Sequence, residues 1–188
     1  TTFQAVSGVG VSGAKELMDQ LRITSSSNVK ERQEEMKFKA FKHQIALNVI
    51  PSIDVPLESG FSKEEEKMIY ESRKILNNQI KISPTCVRVP VLRSHSESMS
   101  VTFKPNQNVD IEAMKKRLKM ATHIKLLDDF KSDVYPMPVI STNTDFTYVG
   151  RIRRDIFNED VVHMFLCADQ LRVGAATNAV KIALLWLS

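Results

Sequence analysis

The stretch at residues 85–98, TCVRVPVLRSHSES, carries an unusual amount of chemistry for a segment that reads as a buried strand. Strand alternation places Cys86 and Arg88 on one face, opposite the valines between and after them. A guanidinium that points from a central strand requires an anion, which is either a structural carboxylate or the carboxylate of a ligand. The sequence therefore predicts an anion-binding role for Arg88 and leaves both partners open.

His95, near the end of this stretch, is the best proton-transfer candidate among the four histidines. Its imidazole titrates near neutrality and has arginine and serine as neighbours in the sequence, although an ordinary hydrogen-bonded histidine is the alternative. Pairing with Cys86 as a nucleophile would require a sharp turn, because nine residues of extended chain span about 30 Å. A small buried thiol is the favoured interpretation of Cys86.

The next candidates lie on the clearest helix of the chain, which starts after Ser62. Ser62 has the N-cap position with Glu65 as its capping-box partner, and acidic residues fill the first turn. Glu64 and Lys67 are three residues apart and share a face of this helix. Such pairs are ordinarily surface ion pairs, but at a cleft they could bind an ammonium group and a phosphate.

The remaining elements must position these side chains. Helices are predicted from Ala14 to about Leu21, over 109–121 and over 169–187. A strand followed by a loop is predicted over 43–56, and no strand is predicted before the Gly/Ser-rich turn at 7–13. Further strands are predicted in six segments, namely 80–92, 97–103, 123–129, 135–141, 146–157 and 161–168. This order predicts an α+β fold with a mainly antiparallel or mixed sheet and helices packed on one face.

Composition bounds the class of protein. A chain of 188 residues with 43% apolar residues can bury one core, so a single domain over 1–188 is predicted. Two cysteines without paired spacing favour a reducing, cytoplasmic compartment and indicate no metal site. The longest apolar run is about half a membrane span, and no signal peptide is recognised.

The net charge of +4 comes from basic residues concentrated at 29–43 and 113–125. Neither segment has the aromatic or glycine-rich features of a nucleic-acid-binding module, so both are interpreted as solvated helix faces and no nucleic-acid partner is expected. A modest positive field also suits a small anionic substrate.

Six segments occur in a distinctive order: FQAVSG, NVIP, KEEEKM with ESRKIL, TCVRVPVLRSHSE, YVGRIRRD and ADQLRVGAATNAV. Together they resemble the C-terminal half of aspartate-semialdehyde dehydrogenases over nearly the whole chain, most weakly at residues 22–42. The resemblance implies a fold like the C-terminal domain of glyceraldehyde-3-phosphate-dehydrogenase-like enzymes. It also implies NADPH-dependent reduction of L-aspartyl 4-phosphate to the semialdehyde, with release of phosphate, on the route to lysine, threonine and methionine.

The same resemblance implies roles for individual residues. His95 corresponds to the general acid and base. The substrate contacts implied are Arg88 with the α-carboxylate, Gln4 with the acyl group, Glu64 with the amine and Lys67 with the phosphate. Contacts with the NADP cofactor are implied for Ser7, Gly8 and Gln170, and Asn178 is a further candidate. A homodimer formed through the sheet is the implied assembly.

Some features depart from the family pattern. The nucleophilic cysteine of the family lies in an Asn-Cys motif upstream of the Gln4 segment, and its glycine-rich NADP fingerprint lies further upstream. Neither motif is in this sequence, so we expect the NADP-binding domain to be absent from this chain, and neither Cys86 nor Cys167 inherits the nucleophile's role. Lys181 stands where family members often have Gln, and the final LLWLS matches no known motif.

Three alternatives remain: a stand-alone dimerisation or small-ligand-binding module, a basic nucleic-acid-binding domain, and a Cys86/His95 hydrolase. For the leading hypothesis, Arg88 and His95 must face one small ligand. In a straight strand their α-carbons would be about 23 Å apart and their side chains on opposite faces. We therefore predict a bend in PVLRSH that begins near Pro90, which cannot donate to a ladder.

Overall fold

The structure, a computed structural model, describes residues 1–25, 36–105, 107 and 109–187. The chain divides into two compact units, Thr1–Leu92 and Arg93–Ser188. The single domain expected over 1–188 stays a prediction, because a division by contacts does not establish how the chain folds. In the part of the chain that the structure describes, no helix is both long and apolar enough to span a membrane.

The first unit is built on a short parallel strand pair with helices around it. Its elements are β1 (Thr2–Gln4), a 3-10 helix (Val6–Val9), α1 (Val11–Ser25), α2 (Lys63–Ile75) and β2 (Cys86–Arg88). In the register of the pair, Thr2 lies opposite Cys86 and Gln4 lies opposite Arg88. The last residues of both strands therefore lie side by side at one end of the pair.

The core of the first unit forms where α1 packs on the 3-10 helix and on the segment around residue 45. Its buried members are Val6, Leu17, Ile45 and Ala46. Gly13 permits this packing, since a Cβ at that position would lie 2.5 Å from the carbonyl oxygen of Val6. Any larger residue at Gly13 would push α1 away from the turn that follows β1.

The second unit contains four strands of a mixed sheet, together with helices. Its elements are β3 (His95–Thr102), α3 (Ile111–Met120), β4 (Ile124–Leu126), a 3-10 helix (Phe130–Ser132), α4 (Pro138–Ser141), β5 (Thr147–Arg154), β6 (Val161–Ala168), a π-helix (Arg172–Ala176) and α5 (Thr177–Leu187). Strand β6 pairs antiparallel with both β3 and β5, and β4 pairs parallel with β5. The predicted α+β class with a mixed sheet is confirmed.

One face of this sheet carries the core of the second unit. Val149, Ile152 and Val162 are buried there, and α3 contributes Ile111, Met114 and Leu118. Helix α3 begins at its N-cap Asp110, whose carboxylate accepts from the backbone N–H groups of residues 112 and 113. The apolar stripe predicted over 109–121 thus packs as expected on one face of the sheet.

The strand predicted over 43–56 is wrong. Two isolated bridges form there instead, one between Ile50 and Arg88, which exchange two backbone hydrogen bonds of 2.9 and 2.8 Å, and one between Pro56 and Ser62. Pro51 has no N–H with which to extend the ladder, and Leu47 and Asp54 have positive φ angles of 57° and 70°. The apolar composition of this run favours a strand, but its backbone turns repeatedly.

Two other boundary predictions also fail for local reasons. Residues 138–141 form the short helix α4 rather than a strand, because proline is favoured in a first helical turn and Pro138 occupies that position. A strand does precede the turn at residues 7–13, since β1 spans Thr2–Gln4. Three residues are too few for a period-2 pattern to be recognised.

The terminal helices differ from the predictions in extent. Helix α1 begins at Val11 and continues through Ser25, beyond the predicted limits of Ala14 and Leu21. The helix predicted over 169–187 has a π-helical first part, Arg172–Ala176, before α5 begins at Thr177. The carboxylate of Asp145 binds both Arg172 and Thr177 and so fixes this junction.

Candidate functional site

The first candidate site lies at the end of the β1/β2 pair, where the parallel register brings Gln4 and Arg88 together. Both side chains are buried, each with 7% of its surface exposed. The Arg88 guanidinium donates from Nη1 to the carbonyl oxygen of Ala5, at 2.8 Å. The turn that leaves β1 therefore fixes one edge of the guanidinium, and Gln4 lies beside it.

The N-terminal turn of α2 supplies the other two predicted substrate contacts. Gln4 donates from Nε2 to Glu64 Oε1 at 3.3 Å, and Lys67 donates from Nζ to Glu64 Oε2 at 3.0 Å. Hydrogen bonding to Glu64 raises the pKa of Lys67, so the ammonium stays charged at neutral pH. The structure thus connects an amide, a carboxylate and an ammonium group in one chain of contacts.

Glu65 explains why α2 lies where it does. Its Oε2 accepts from Ser62 N at 2.7 Å, which completes the predicted capping box, and its Oε1 accepts from Cys86 N at 2.9 Å. Burial would raise the pKa of Glu65, but the hydrogen bonds from Ser62 and Cys86 bring it below its ordinary value. One carboxylate therefore joins the start of α2 to the start of β2 and places Glu64 beside Gln4.

The environment of Arg88 favours a ligand anion over a structural one. Within the described residues of the first unit, Arg88 forms no ion pair, and its hydrogen bond goes to a neutral carbonyl. Burial lowers the pKa of Arg88, an effect that the nearby charge of Glu64 opposes. A buried guanidinium without a directly bound carboxylate is suited to receive a carboxylate in a bidentate contact.

The two predicted cofactor contacts in this unit follow β1 immediately. Ser7 and Gly8 lie in the 3-10 helix, where Ser7 N donates to Leu92 O at 3.2 Å and Gly8 N donates to Ala5 O at 3.1 Å. Ser7 is half-buried and Gly8 is exposed. A hydroxyl beside a position without a side chain is compatible with close approach of a planar amide such as that of nicotinamide.

The predicted break between Arg88 and His95 is present. Strand β2 ends at Arg88, and β3 begins at His95. Val91 N donates to Val89 O at 2.8 Å across Pro90, so the chain turns where the proline was expected to end the ladder. Because Arg88 and His95 belong to different units, their joint contact with one ligand stays a prediction.

His95 opens β3 directly after an unusual residue. Ser94 has a φ of 75° and 1% of its surface exposed, and its N–H donates to Gln170 Oε1 at 3.0 Å. A serine in the left-handed region is uncommon and is retained only when the surroundings fix it. The predicted cofactor contact Gln170 therefore has an observed structural contact, with the residue before His95.

Ser94, His95 and Gln170 form a second candidate site, and a carboxylate that was not predicted from the sequence, that of Asp169, completes it. Asp169 follows β6, is fully buried and accepts from Arg93 Nε at 2.9 Å. It also accepts from Asn143 N at 2.7 Å and Leu171 N at 3.1 Å. The signal available in the sequence was an aspartate directly before the candidate cofactor residue Gln170. The partners that allow its charge to be buried are distant in the sequence, so its burial could not be predicted.

Neither cysteine has the environment of a nucleophile. Cys86 is buried with its sulfur 3.5 Å from that of Met68, and burial raises its pKa. Cys167 lies 3.0 Å from the hydroxyl of Ser96, and burial raises its pKa to about 11. Both thiols are therefore protonated at neutral pH, which agrees with the buried-thiol interpretation and counts against a Cys86/His95 hydrolase.

The two remaining predicted positions lie on α5. Asn178 is exposed, and the ammonium of Lys181 donates to His123 Nδ1 at 3.2 Å. Several apolar side chains of the final turns are largely exposed, including Trp186 at 89%. Among the described residues, which omit 26–35, 106, 108 and 188, no cluster of three or more His, Cys, Asp or Glu has the arrangement of a metal site.

Comparison with known proteins assigns this arrangement to one family. The model of the semialdehyde dehydrogenase dimerisation domain matches residues 1–173. The aspartate-semialdehyde dehydrogenase of Campylobacter jejuni is 44% identical over 187 residues, which are 100% of this chain and 53% of that protein. The chain thus spans about half the length of the curated relatives it matches and corresponds to their C-terminal half.

Solved structures agree with that assignment. Aspartate semialdehyde dehydrogenase II of Vibrio cholerae, complexed with ASA, superposes with a TM-score of 0.90 at 36% identity, over 99% of this chain and 53% of that chain. The Candida albicans enzyme with NADP has a TM-score of 0.65 at 25% identity, over 97% and 47% of the two chains. The match of the family model over residues 1–173 agrees with the sequence motifs and the clustered polar side chains. The chain therefore belongs to the semialdehyde dehydrogenase family, in the region of its dimerisation domain.

Proposed function

We propose that this chain is the substrate-binding and dimerisation half of an NADP-dependent aspartate-semialdehyde dehydrogenase. The observation that carries the proposal is the contact chain at the end of the β1/β2 pair, where the buried Arg88 lies beside Gln4 and Glu64. These groups complement the two charges of an α-amino acid, a carboxylate and an ammonium group. The Campylobacter jejuni relative is an aspartate-semialdehyde dehydrogenase, and the Vibrio cholerae enzyme is complexed with ASA.

In the proposed site each side chain has one task. Arg88 binds the α-carboxylate through its guanidinium fork, and Glu64 accepts from the α-ammonium group. Gln4 orients the acyl group, and Lys67 offers its charged ammonium to the leaving phosphate. Because these contacts fix both ends of the amino acid, the reacting carbon is held in one position, which lowers the entropic part of the barrier.

The proposed reaction converts L-aspartyl 4-phosphate, NADPH and a proton into the semialdehyde, NADP and phosphate. NADP supplies the hydride chemistry when it is bound, and Ser7, Gly8 and Gln170 are the residues of this chain proposed to contact it. His95 delivers and removes the proton at the reacting oxygen and sulfur centres. The cysteine nucleophile of the family is expected upstream of Gln4, in the part of the relatives that this chain does not cover.

The proposal is tested by an assay of the complete gene product in the oxidative direction, with phosphate, NADP and aspartate semialdehyde. NADPH should form only when all three are present. The purified 188-residue chain should fold without turning over, because a covalent catalyst is missing. Turnover by this chain alone would contradict the assignment of the nucleophile to the missing half.

Substitution of Arg88 tests recognition of the substrate carboxylate. In the complete protein, Arg88→Lys keeps the positive charge but loses the two-pronged guanidinium contact. We therefore expect kcat/KM for the semialdehyde to fall by an amount that corresponds to about 2 to 4 kcal/mol of lost transition-state stabilisation. Arg22→Lys on α1, whose side chain is 76% exposed, is the matched control and should leave kcat/KM unchanged. Equal behaviour of the two variants would exclude Arg88 as the carboxylate contact.

Substitution of His95 tests proton transfer. His95→Asn should lower kcat by about 100-fold or more while changing KM little, because proton transfer is expressed in the transition state. His123→Asn, on a histidine whose imidazole contacts Lys181, is the control and should retain activity. A His95→Asn variant with wild-type kcat would remove the catalytic role.

The proposed assembly is a homodimer formed through the sheet. In the second unit α3 covers one face, while Ser98, Ser100 and the half-buried Phe165 lie on the other face by their register, and the two serines are exposed. The matching family model is itself a dimerisation domain. Sedimentation of the complete protein should show a dimer at tens of micromolar, and a monomer at that concentration would count against it.

A further inference from the structure

Asp169 is the most completely enclosed charge of the second unit and contacts three separate segments. Its carboxylate binds the Arg93 side chain, the backbone N–H of Asn143 and the backbone N–H of Leu171. These partners precede β3, follow α4 and follow β6, respectively. A buried carboxylate is stable only with such a set of donors, so the three segments are fixed relative to one another wherever the charge is kept.

The segment before β3 is the one with unusual backbone geometry. Ser94, next to Arg93, has a φ of 75°, and three contacts restrain it: the Arg93–Asp169 pair on one side, Gln170 Oε1 on its N–H, and Thr142 Oγ1 at 2.9 Å from its hydroxyl. Gln170 and Thr142 are the immediate neighbours, in sequence, of Asp169 and of its partner Asn143. All three restraints on Ser94 therefore come from residues that bind Asp169 or adjoin Asp169 or its partner in the sequence.

Ser94 is followed directly by His95, the first residue of β3. The direction in which the imidazole leaves the sheet depends on the backbone angles at this turn, because a left-handed residue reverses the path of the chain. From these contacts we propose that Asp169 is a positioning residue for His95. The inference rests on the proposed function in that it requires His95 to be catalytic, and it assigns to Asp169 no contact with the substrate.

A structural role alone would give a different result from positioning. If Asp169 only stabilises the fold, its substitution lowers the melting temperature and leaves the properly folded fraction with normal kcat. If it positions His95, the folded variant has a lower kcat and a nearly normal KM, since substrate contacts belong to other residues. A misplacement of a catalytic group by about 1 Å costs on the order of 100-fold in rate.

The test uses the complete protein with Asp169→Asn, which keeps the size of the side chain but replaces an acceptor by an amide that cannot accept from all three donors. We expect kcat to fall about 10- to 100-fold, with KM for the semialdehyde within about threefold of wild type. The decisive readout is the same substitution in the His95→Asn background. There Asp169→Asn should cause less than about a twofold further loss, because two groups that act as a unit are not additive.

Two further variants complete the experiment. Asp155→Asn is the matched control, because Asp155 also accepts from two backbone N–H groups and one basic side chain, His163, but lies before β6 rather than after it. Its kcat should be that of wild type. If Asp169→Asn does not fold, Thr142→Val carries the test, since it removes only the hydroxyl beside Ser94 and should still lower kcat severalfold with KM unchanged.

The outcomes separate the two proposals. A complete protein without dehydrogenase activity, or a His95→Asn variant with normal kcat, would overturn the proposed role of His95 and this inference with it. Loss of activity in His95→Asn with normal kcat in Asp169→Asn or, where that variant does not fold, in Thr142→Val would overturn the positioning role alone. Equal losses from Asp169→Asn in the wild-type and His95→Asn backgrounds would also overturn it, because they would show an effect independent of His95.

Discussion

Glu65 and Asp169 are buried carboxylates, one in each unit. Each accepts from backbone N–H groups, and each is the sequence neighbour of a predicted site residue, Glu64 or Gln170. Glu65 accepts from Ser62 N and Cys86 N, both backbone groups, and lies beside Glu64. Asp169 accepts from Asn143 N and Leu171 N and additionally pairs with the Arg93 guanidinium. Glu65 joins a helix to a strand, whereas Asp169 is one member of an ion pair.

The two carboxylates differ in how many of their hydrogen-bond donors lie close to them in the sequence. The capping box of Glu65 is a four-residue motif, so half of its environment forms with the helix itself. For Asp169, by contrast, Asn143 lies 26 residues away in the sequence and Arg93 lies 76 residues away. Removal of Asp169 therefore affects contacts that only the complete unit makes, and we expect it to have the larger effect.

The largest effect is expected for Asp169→Ala. It leaves Arg93, whose side chain is 30% exposed, without its partner and two backbone N–H groups without an acceptor. We expect a loss of about 3 to 5 kcal/mol in the free energy of unfolding, measured by urea titration of the 188-residue chain. The double variant Asp169→Ala/Arg93→Met should recover part of the loss, and a double variant as unstable as the single one would show that the charge pair is not its source.

The next effect in size is expected for Glu65→Ala. Cys86 N loses its buried acceptor and α2 loses one half of its capping box, so the free energy of unfolding should fall by about 2 to 4 kcal/mol. Glu66→Ala is the matched control, because its carboxylate accepts from the exposed Ser59 hydroxyl, and it should change stability by less than about 0.5 kcal/mol. Similar losses in both variants would refute the special role of Glu65.

A smaller effect separates the two halves of the capping box. Ser62→Ala removes the hydroxyl that accepts from Glu65 N at 3.3 Å but leaves the Glu65–Cys86 contact in place. The expected cost is about 1 kcal/mol in the same urea titration. A loss as large as that of Glu65→Ala would mean that the cap, rather than the link to β2, accounts for the contribution of Glu65.

The smallest effect concerns the partly exposed carboxylate of Asp145 and appears only in acid. Hydrogen bonds from Arg172 and Thr177 lower the pKa of Asp145 from 3.8 to about 2. Because the folded pKa is depressed, the carboxylate stabilises the fold above pH 4 and loses this contribution as the pH falls toward 2. The melting temperature of Asp145→Asn should accordingly fall less than that of wild type between pH 4 and pH 2.5, and parallel curves would contradict the assignment.

The contrast between local and distant partners also explains which sequence predictions held. The capping box at Ser62, the helix over 109–121 and the break at Pro90 were all recognisable, because each depends on residues within a few positions of one another. The mixed α+β class followed from the order of such local elements along the chain, although the strands that pair are distant in the sequence. The strand predicted over 43–56 failed because Pro51 and two residues with positive φ interrupt a run whose composition favours a strand. The three residues of β1 were too few to show any period.

By itself the sequence determined the family, the helix caps and the identity of the side chains with chemistry, since these depend on residue types and short spacings. Tertiary structure alone decided that Gln4 lies opposite Arg88 across a parallel register, that Glu64 reaches Gln4 from α2, and that a buried Asp169 restrains the turn before His95. Contacts of this kind join residues dozens of positions apart. Their formation depends on packing and burial of the whole unit, which no local pattern encodes.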